Sequence, residues 1–510
     1  TPTGYKAGTM YNVAPIEQPY EDFVFSRASV ASRVNSSGLV EMVGRTLSSE
    51  LVTNGDFSDG TNDWDVQGFS SRDVGTYQGR NNVLKVNILN TATISRITQP
   101  FTYVDGTTYK IVVNVYLESG SFRVDSSDSY VSGDFVSTTT TGSWQTLTAY
   151  FTAISSGSNY IWLRSLSEVS EFYVQDISIQ EVIDTNNIPR INYDSNGENG
   201  HWLLEPTSTN LITYSEDFSN WTTSGVTLTP NQVSPSGDYS ATKLVFAANN
   251  DYIQYSVSGL STSNSYTLSF YAKVESGTTT IDCGNLNVGV YETKTVTTEW
   301  QRFTVTQTPS ATTRYPRPIL SNGSDTIYIW GVQLEALSYA TSYIPTLTGS
   351  TETRATETAN GAGSADLINS TEGVLYAEIA ALADDGTNRT IALNKDTNDR
   401  IQMYFNTSTN GLSIFYKAQS GATSFIMNET LTDATSFNKI AFKWKANDFA
   451  LWVNGVETDT VSSGVTPTAN SLNALEFEMF NNGSPFYGKC KALTVFNTAL
   501  TDAELTELTS

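Results

Sequence analysis

YIWLR, at residues 160–164, sets Tyr160, Trp162 and Arg164 on one side of a strand and Ile161 and Leu163 on the other, because successive strand side chains point to opposite faces. An aromatic ring stacks on the apolar face of a pyranose, while a guanidinium or amide bonds the hydroxyls. With the aliphatic side turned to the core, the other side is a sugar platform. With the strand turned over, Trp162 is a core residue. IQMYFN at 401–406 repeats the arrangement, with Gln402, Tyr404 and Asn406 on the polar face and Ile401, Met403 and Phe405 on the apolar one. Those three polar-face residues with Trp452 would line a concave binding face, although an ordinary exposed sheet face reads the same way.

Groups for bond cleavage are scarcer. A Ser-His-Asp arrangement would have to use His201, the only histidine, which lies in NGHWLLEP with no nucleophile elbow beside it. A packed or solvent-facing role is expected for it. Glu476 and Glu478 in LEFEM share a face opposite Leu475, Phe477 and Met479. They are an acid/base candidate, though such a pair is more often the solvated side of a strand. Cys283 and Cys490 are too few for a disulfide framework or a Cys-rich zinc site, and are expected as buried thiols.

The composition bounds what these groups can belong to. A chain of 510 residues exceeds one hydrophobic core, so two to four domains are expected. Charged residues are 16% and aromatics 12%, a mixture that favours short strands joined by polar turns. The 28 Lys and Arg stand against 52 Asp and Glu, for a net charge of −24. Such a surface repels nucleic acid and anionic membrane. No apolar run is long enough to span a bilayer, and TPTGYKAGTMYNV at the start lacks the apolar stretch of a signal peptide, so synthesis in the cytoplasm is expected.

The elements that position the candidates come in repeated order. NGDFSDGTNDW at 54–64 returns as SEDFSNW at 215–221. The first is followed by NNVLKVNI, TTYKIVVNVYLESGSFRV, TGSWQTLTAYFTA and FYVQDISIQEV, the second by SATKLVFAA, NSYTLSFYAKVESGTTTI, TTEWQRFTVTQTP and IYIWGVQLEA. Self-similarity over such a length means two copies of one domain. Each alternates at period two, with Ile111, Val113 and Val115 on one face, and predicts an antiparallel β-sandwich. Trp64 with Trp221, and Trp144 with Trp300, recur at matching points and are read as packing residues. The partner of YIWLR is RYPRPIL, where Pro316 and Pro318 predict an edge or broken strand.

The last third differs. Strand-like runs include NKIAFKWKANDFALWVNGVETDT, in which Asn454-Gly455 is a two-residue hairpin signal. Thr501 and Glu504 have capping-box spacing, with Leu505 and Leu508 free to pack inward. A short closing helix is expected there.

Three resemblances follow from these stretches. ELVTNGDFSDGTNDW closing with FYVQDISIQEV resembles the jelly-roll carbohydrate-binding modules, over roughly 50–182 and, in divergent form, 211–336. The run from 373 to 510 resembles the laminin-G or concanavalin-A-like lectins. FSRASVASRVNSSGLVEMV (25–43), NIPRINYDSNGENGHWLLEPTSTNLITYSEDF (187–218) and GVQLEALSYATSYIPT (331–346) resemble segments of tailed-phage fibre and virion-surface proteins. There the first two run on almost directly, so the first sandwich reads as an insertion.

The jelly-roll likeness implies a structural calcium ion held by a Glu after the opening motif and an Asp in the closing strand. Asp176 matches the Asp, Ser58 stands at the Glu position, and Gly331 replaces the Asp in the second copy. The lectin likeness brings in glucanases, whose Glu-x-Asp-x-x-Glu strand supplies both catalytic carboxylates. ETDTVS matches with Glu457 and Asp459 but has Ser462 in the third place. ADDGTN at 383–388 reads as a turn rather than an ion site.

The expectation is an all-β chain of three tandem antiparallel β-sandwich (jelly-roll) domains with an extended N-terminal segment. Its parts are an N-terminal virion-attachment segment (1–47), an inserted sandwich (48–182), a returning connector (183–210), a second sandwich (211–336), a linker (337–372) and a lectin-like domain (373–510). The resemblances imply a non-enzymatic component of a tailed-phage virion surface that binds glycans, with no cofactor required and a structural calcium ion as an option. Its protein partners would be other virion proteins and copies of itself, a trimer by family likeness. The alternatives are a glycan depolymerase or hydrolase, using Glu476, Glu478 or Glu457, and a bacterial surface adhesin.

Overall fold

The computed structural model describes residues 5–6, 9–10, 23–90, 95–131, 135–165, 169–347, 349–393, 397–479 and 483–510, the first two pairs and Ser420 as backbone only. Most of the expected attachment segment before Phe23 therefore lies outside the described residues. The chain is all-β, built of antiparallel sheets paired into three sandwiches.

In the first sandwich one sheet runs Val136–Thr138, Phe122–Asp125, Gly157–Arg164, Arg96–Tyr103, Asp65–Gln67, and the other runs Trp144–Thr152, Thr108–Ser119, Ser170–Asp184, Arg80–Ile88, Ser70–Tyr77. In the second, the sheets run Tyr291–Val296, Thr279–Gly284, Arg317–Ser321, Tyr252–Gln254, Thr222–Ser224, and Gln301–Gln307, Tyr266–Val274, Thr326–Glu335, Ala241–Phe246, Val226–Gln232. Strand for strand the order is identical, as two copies of one domain require.

The repeated opening motif is a plug for the core. Trp64 and Phe57 are fully buried, and the Trp64 indole donates to the Asn54 carbonyl at 3.1 Å. In the second copy Trp221 packs on Phe218 and donates to the Tyr214 carbonyl at 2.9 Å. Trp144 and Trp300 are half-buried, each beneath a cation: Arg80 at 4.2 Å and Lys273 at 5.2 Å. Ile111, Val113 and Val115 all point into the core.

RYPRPIL takes the broken form of the expectation: Thr313–Arg314 and Arg317–Ser321 are separate strands, parted at Tyr315 and Pro316. Arg317–Ser321, the strand that carries Pro318, is central in its sheet, not at an edge. Its pairing with Thr279–Gly284 skips a residue between Asp282 and Gly284, so the proline falls where the ladder is already interrupted.

The third sandwich faces a seven-stranded sheet (Ile191–Asn192, His201–Leu204, Gly488–Phe496, Glu372–Ala381, Asn438–Lys445, Asp448–Val453, Val456–Val461) against a five-stranded one (Thr423–Thr430, Gly411–Ala418, Arg400–Phe405, Arg389–Leu393, Leu475–Glu476). Asn454 and Gly455 join their strands with φ of 48° and 84°, the left-handed values a two-residue hairpin needs. The capping box of Thr501 and Glu504 starts the helix Asp502–Thr509, whose Leu505 is fully buried on the seven-stranded sheet.

The returning connector thus supplies two strands of the third sandwich. The N-terminal strand Phe23–Ser26 pairs with Thr358–Asn360, and its Phe23 and Phe25 enter the same core as Trp202 and Leu204. Arg45–Leu47 pairs with the end of Ser170–Asp184, so the first sandwich leaves and rejoins the chain through neighbouring strands. Among the described residues no helix is long and apolar enough to cross a membrane.

Candidate functional site

Strand Gly157–Arg164 buries Ile161 and Leu163 in the core of the first sandwich and turns Tyr160, Trp162 and Arg164 outward. Pairing then sets their neighbours. Trp162 lies between Thr98 and Asp125, and Arg164 lies beside Arg123. Arg164 grips both carboxylate oxygens of Asp125, at 2.5–2.9 Å, and Arg123 Nε reaches the same group at 2.8 Å. Arg96, from the strand on the other side, lies with its Cζ 3.9 Å from the Trp162 ring centre, while Arg164 Cζ is 5.1 Å away. Gln67 accepts from Arg96 Nε at 2.8 Å.

Trp162 is therefore not a bare stacking surface. Cations occupy its ring, and among the described residues its buried indole N–H has no hydrogen-bond partner. The open aromatic of this face is Tyr160, 40% exposed. Burial and the charge of Arg164 lower the Arg96 pKa, against the pull of Asp125. Arg96 was not among the expected residues. Alternation in SRITQPF puts it opposite Ile97, but its place over Trp162 comes from cross-strand pairing.

The third sandwich also turns Gln402 and Tyr404 outward, on the five-stranded sheet, with Ile401, Met403 and Phe405 inside. Gln402 is buried on that face, and among the described residues its amide nitrogen has no partner. Asn406 donates to Ser413 at 2.8 Å, which donates to Asn428 at 2.7 Å, so these groups satisfy one another. Trp452 does not join them. It sits on the other sheet, 6% exposed beneath the C-terminal helix, with Val374, Tyr376 and Leu505.

The carboxylate pairs dissolve as well. Glu476 and Glu478 are buried, not solvated, and Glu476 accepts from the Gly361 amide at 2.9 Å. Glu457 and Asp459 lie on an edge strand with a register shift between them. His201 is packed: Nδ1 donates to the Asn199 carbonyl at 2.9 Å and the ring meets Phe437 edge-on. Its pKa is lowered to about 4, by burial first and then by Lys489 and Lys491. Both cysteines are buried, with thiol pKa values pushed up to about 12.

Asp176 is exposed, and its pKa is raised by partial burial and by the charges of Asp56 and Glu50. Glu50 already accepts from the amides of Leu51, Val52 and Ile179 and from the Ser178 hydroxyl. Ser58 caps Asp56. Among the described residues no three His, Cys, Asp or Glu side chains are arranged to hold a metal ion, and the Glu50 carboxylate is already engaged by protein donors.

A cavity of about 810 Å³ separates the first two sandwiches, lined by Tyr150, Tyr214, Glu216 and Tyr239 among others. Tyr343 donates to Glu216 at 2.8 Å, and burial, then Asp238, raises the Glu216 pKa to about 7.

Residues 357–506 match the family described as the Concanavalin A-like lectin/glucanases superfamily, a laminin-G type. The C-terminal part is thus similar to laminin-G and concanavalin-A-like lectins. No curated protein matches the chain. Among solved structures, NanB plus Optactamide is 14% identical, over 28% of this chain and 25% of that one, with a TM-score of 0.24; the chain spans about a quarter of its length. The CBM22-1-CBM22-2 tandem of Paenibacillus barcinonensis Xyn10C is 14% identical, over 56% and 98%, at 0.22. Mouse laminin alpha1 LG4-5 is 10% identical, over 58% and 91%, at 0.21.

Proposed function

We propose that the chain is a non-catalytic glycan-binding protein whose working surface is the outer face of the first sandwich. One observation carries the reading: Tyr160 stands exposed beside a guanidinium-covered Trp162 on a sheet whose opposite face is closed core. A flat exposed ring next to oriented donors is what a sugar needs. The lectin-like match of the C-terminal part supports the same class of ligand.

The finer reading is an appendage on the surface of a tailed-phage virion, made in the host cytoplasm and joined to other virion proteins. Its support is the likeness of segments 25–43, 187–218 and 331–346 to phage proteins. These three stretches also meet in one buried ionic cluster: Arg27, Arg190, Glu205 and Ser342 all take part. A trimer is the assembly that likeness implies, and light scattering on the purified chain checks it. Many copies on one particle would raise weak single-site affinity by roughly 10² to 10⁴.

A glycan array probed with the whole chain tests the binding reading. Binding is expected, weakened at least about tenfold by Tyr160→Ala, a loss of about 1.4 kcal/mol. Trp452→Phe, under the helix, should leave it unchanged. A blank array ends the reading. Reducing sugar released from any bound polysaccharide would replace it with the hydrolase alternative.

A further inference from the structure

We infer that the outer face of the first sandwich selects saccharides that carry a carboxylate, with Arg96 as the residue that holds it; this rests on the glycan-binding reading above. Arg96 is fixed at three points. Its Cζ lies 3.9 Å from the centre of the Trp162 ring, its Nε donates to Gln67 at 2.8 Å, and its backbone is in the strand Arg96–Tyr103. Among the described residues, no acceptor meets its two terminal nitrogens, and the side chain is only partly buried. A guanidinium held over a ring with both terminal nitrogens open matches the two oxygens of a carboxylate.

The second sandwich holds the same device in closed form. Arg317 lies with its Cζ 3.8 Å from the centre of the Tyr252 ring, and its Nε donates to Gln254 at 2.9 Å. In that copy the arginine is on the strand equivalent to Gly157–Arg164 and the aromatic on the one equivalent to Arg96–Tyr103. The partners have traded strands, yet guanidinium, ring and Gln remain together on one sheet. There Nη1 donates to Tyr291 at 3.0 Å. The first copy lacks that plug.

The neighbouring groups set the length of the ligand. Arg164, level with Arg96 across the ladder, is occupied by Asp125. Asp65, on the edge strand beyond Thr98, is the exposed acid of this face. Tyr160 is four residues along the strand from Arg164, about 14 Å at the usual strand rise. A short oligosaccharide spans that distance, with its acidic sugar at Arg96 and a second ring on Tyr160.

Calorimetry with uronic-acid oligosaccharides (galacturonate, glucuronate and mannuronate trimers), each beside its methyl ester, tests this on the whole chain. The ester keeps the ring and removes the charge. At least one acid should bind about tenfold or more tighter than its ester, and the preference should shrink as salt rises. Arg96→Gln should erase the preference, Arg96→Lys should keep part of it, and Arg317→Gln should leave it intact. Unchanged thermal midpoints show that each variant is folded. Esters that bind as tightly as acids, or a preference that survives Arg96→Gln, overturn the inference while leaving glycan binding in place. Failure of every acid and ester, with binding to neutral glycans on the array, overturns it too. Failure of those and of the array removes both.

Discussion

His201 shows how a single side chain reports on its surroundings. Stripped of water in the strand His201–Leu204, the ring keeps its Nδ1 proton on the Asn199 carbonyl and faces Lys489 and Lys491. Because it is the only histidine, its proton resonances can be followed by NMR without assignment. A midpoint near 4 is expected; one near 6.5 would show an open ring. The folded pKa is below the unfolded one, so the neutral ring contributes stability above pH 6.5 that is lost as pH falls towards 4. The loss is on the order of 3 kcal/mol at about 1.4 kcal/mol per unit. His201→Gln should flatten acid unfolding of the third sandwich in that window.

At the scale of elements, the opening turn and closing strand of the first sandwich bring the charges of Asp56 and Glu50 to bear on Asp176, whose pKa burial and those charges raise. A calcium ion at 100 times its Kd would add about 2.7 kcal/mol to stability. None is expected: calcium and chelator should leave the melting midpoint unchanged. Asp176→Asn should raise stability by no more than about 0.5 kcal/mol, since the group is exposed. A clear calcium-dependent rise in midpoint, lost in that variant, would show that the three carboxylates do form a site.

Much of what holds these elements was legible because it is local. Alternation placed Ile161 and Leu163 inward, Asn454-Gly455 fixed a hairpin, and Thr501 with Glu504 fixed a helix start. What depends on a distant partner was not legible. Alternation gives a strand two faces but does not say that a helix covers Trp452, or that Gly361 meets Glu476. Arg96 reached the site only through pairing with a strand more than sixty residues away.

At the scale of the whole molecule, stretches far apart in sequence close on one ionic cluster. Glu357 accepts from Arg27 Nη1 at 2.6 Å and from both Nε and Nη2 of Arg190, at 3.0 and 2.7 Å. Glu205 pairs with Arg190 and with Arg354, the latter at 2.9 Å, and also takes the Ser342 amide. All five ionic side chains are 3% exposed or less. Burial opposes the charge on Glu205, yet Arg354 and Arg190 hold its pKa at about 2.

Such a cluster adds little net stability over apolar packing, but losing one member strands the others. Glu357→Gln should therefore cost about 3–5 kcal/mol. The loss should fall on the joint, freeing the strand Phe23–Ser26 and the connector to protease. The second sandwich, with its own core, should melt as before, since separate cores need not unfold together. Replacing Arg27, Arg190 and Glu357 together by Met should cost less than Glu357→Gln alone, because no buried charge of that trio is left behind. Unchanged cleavage and melting in Glu357→Gln would mean that the apolar contacts of Phe23, Phe25 and Trp202 hold the joint without the charges.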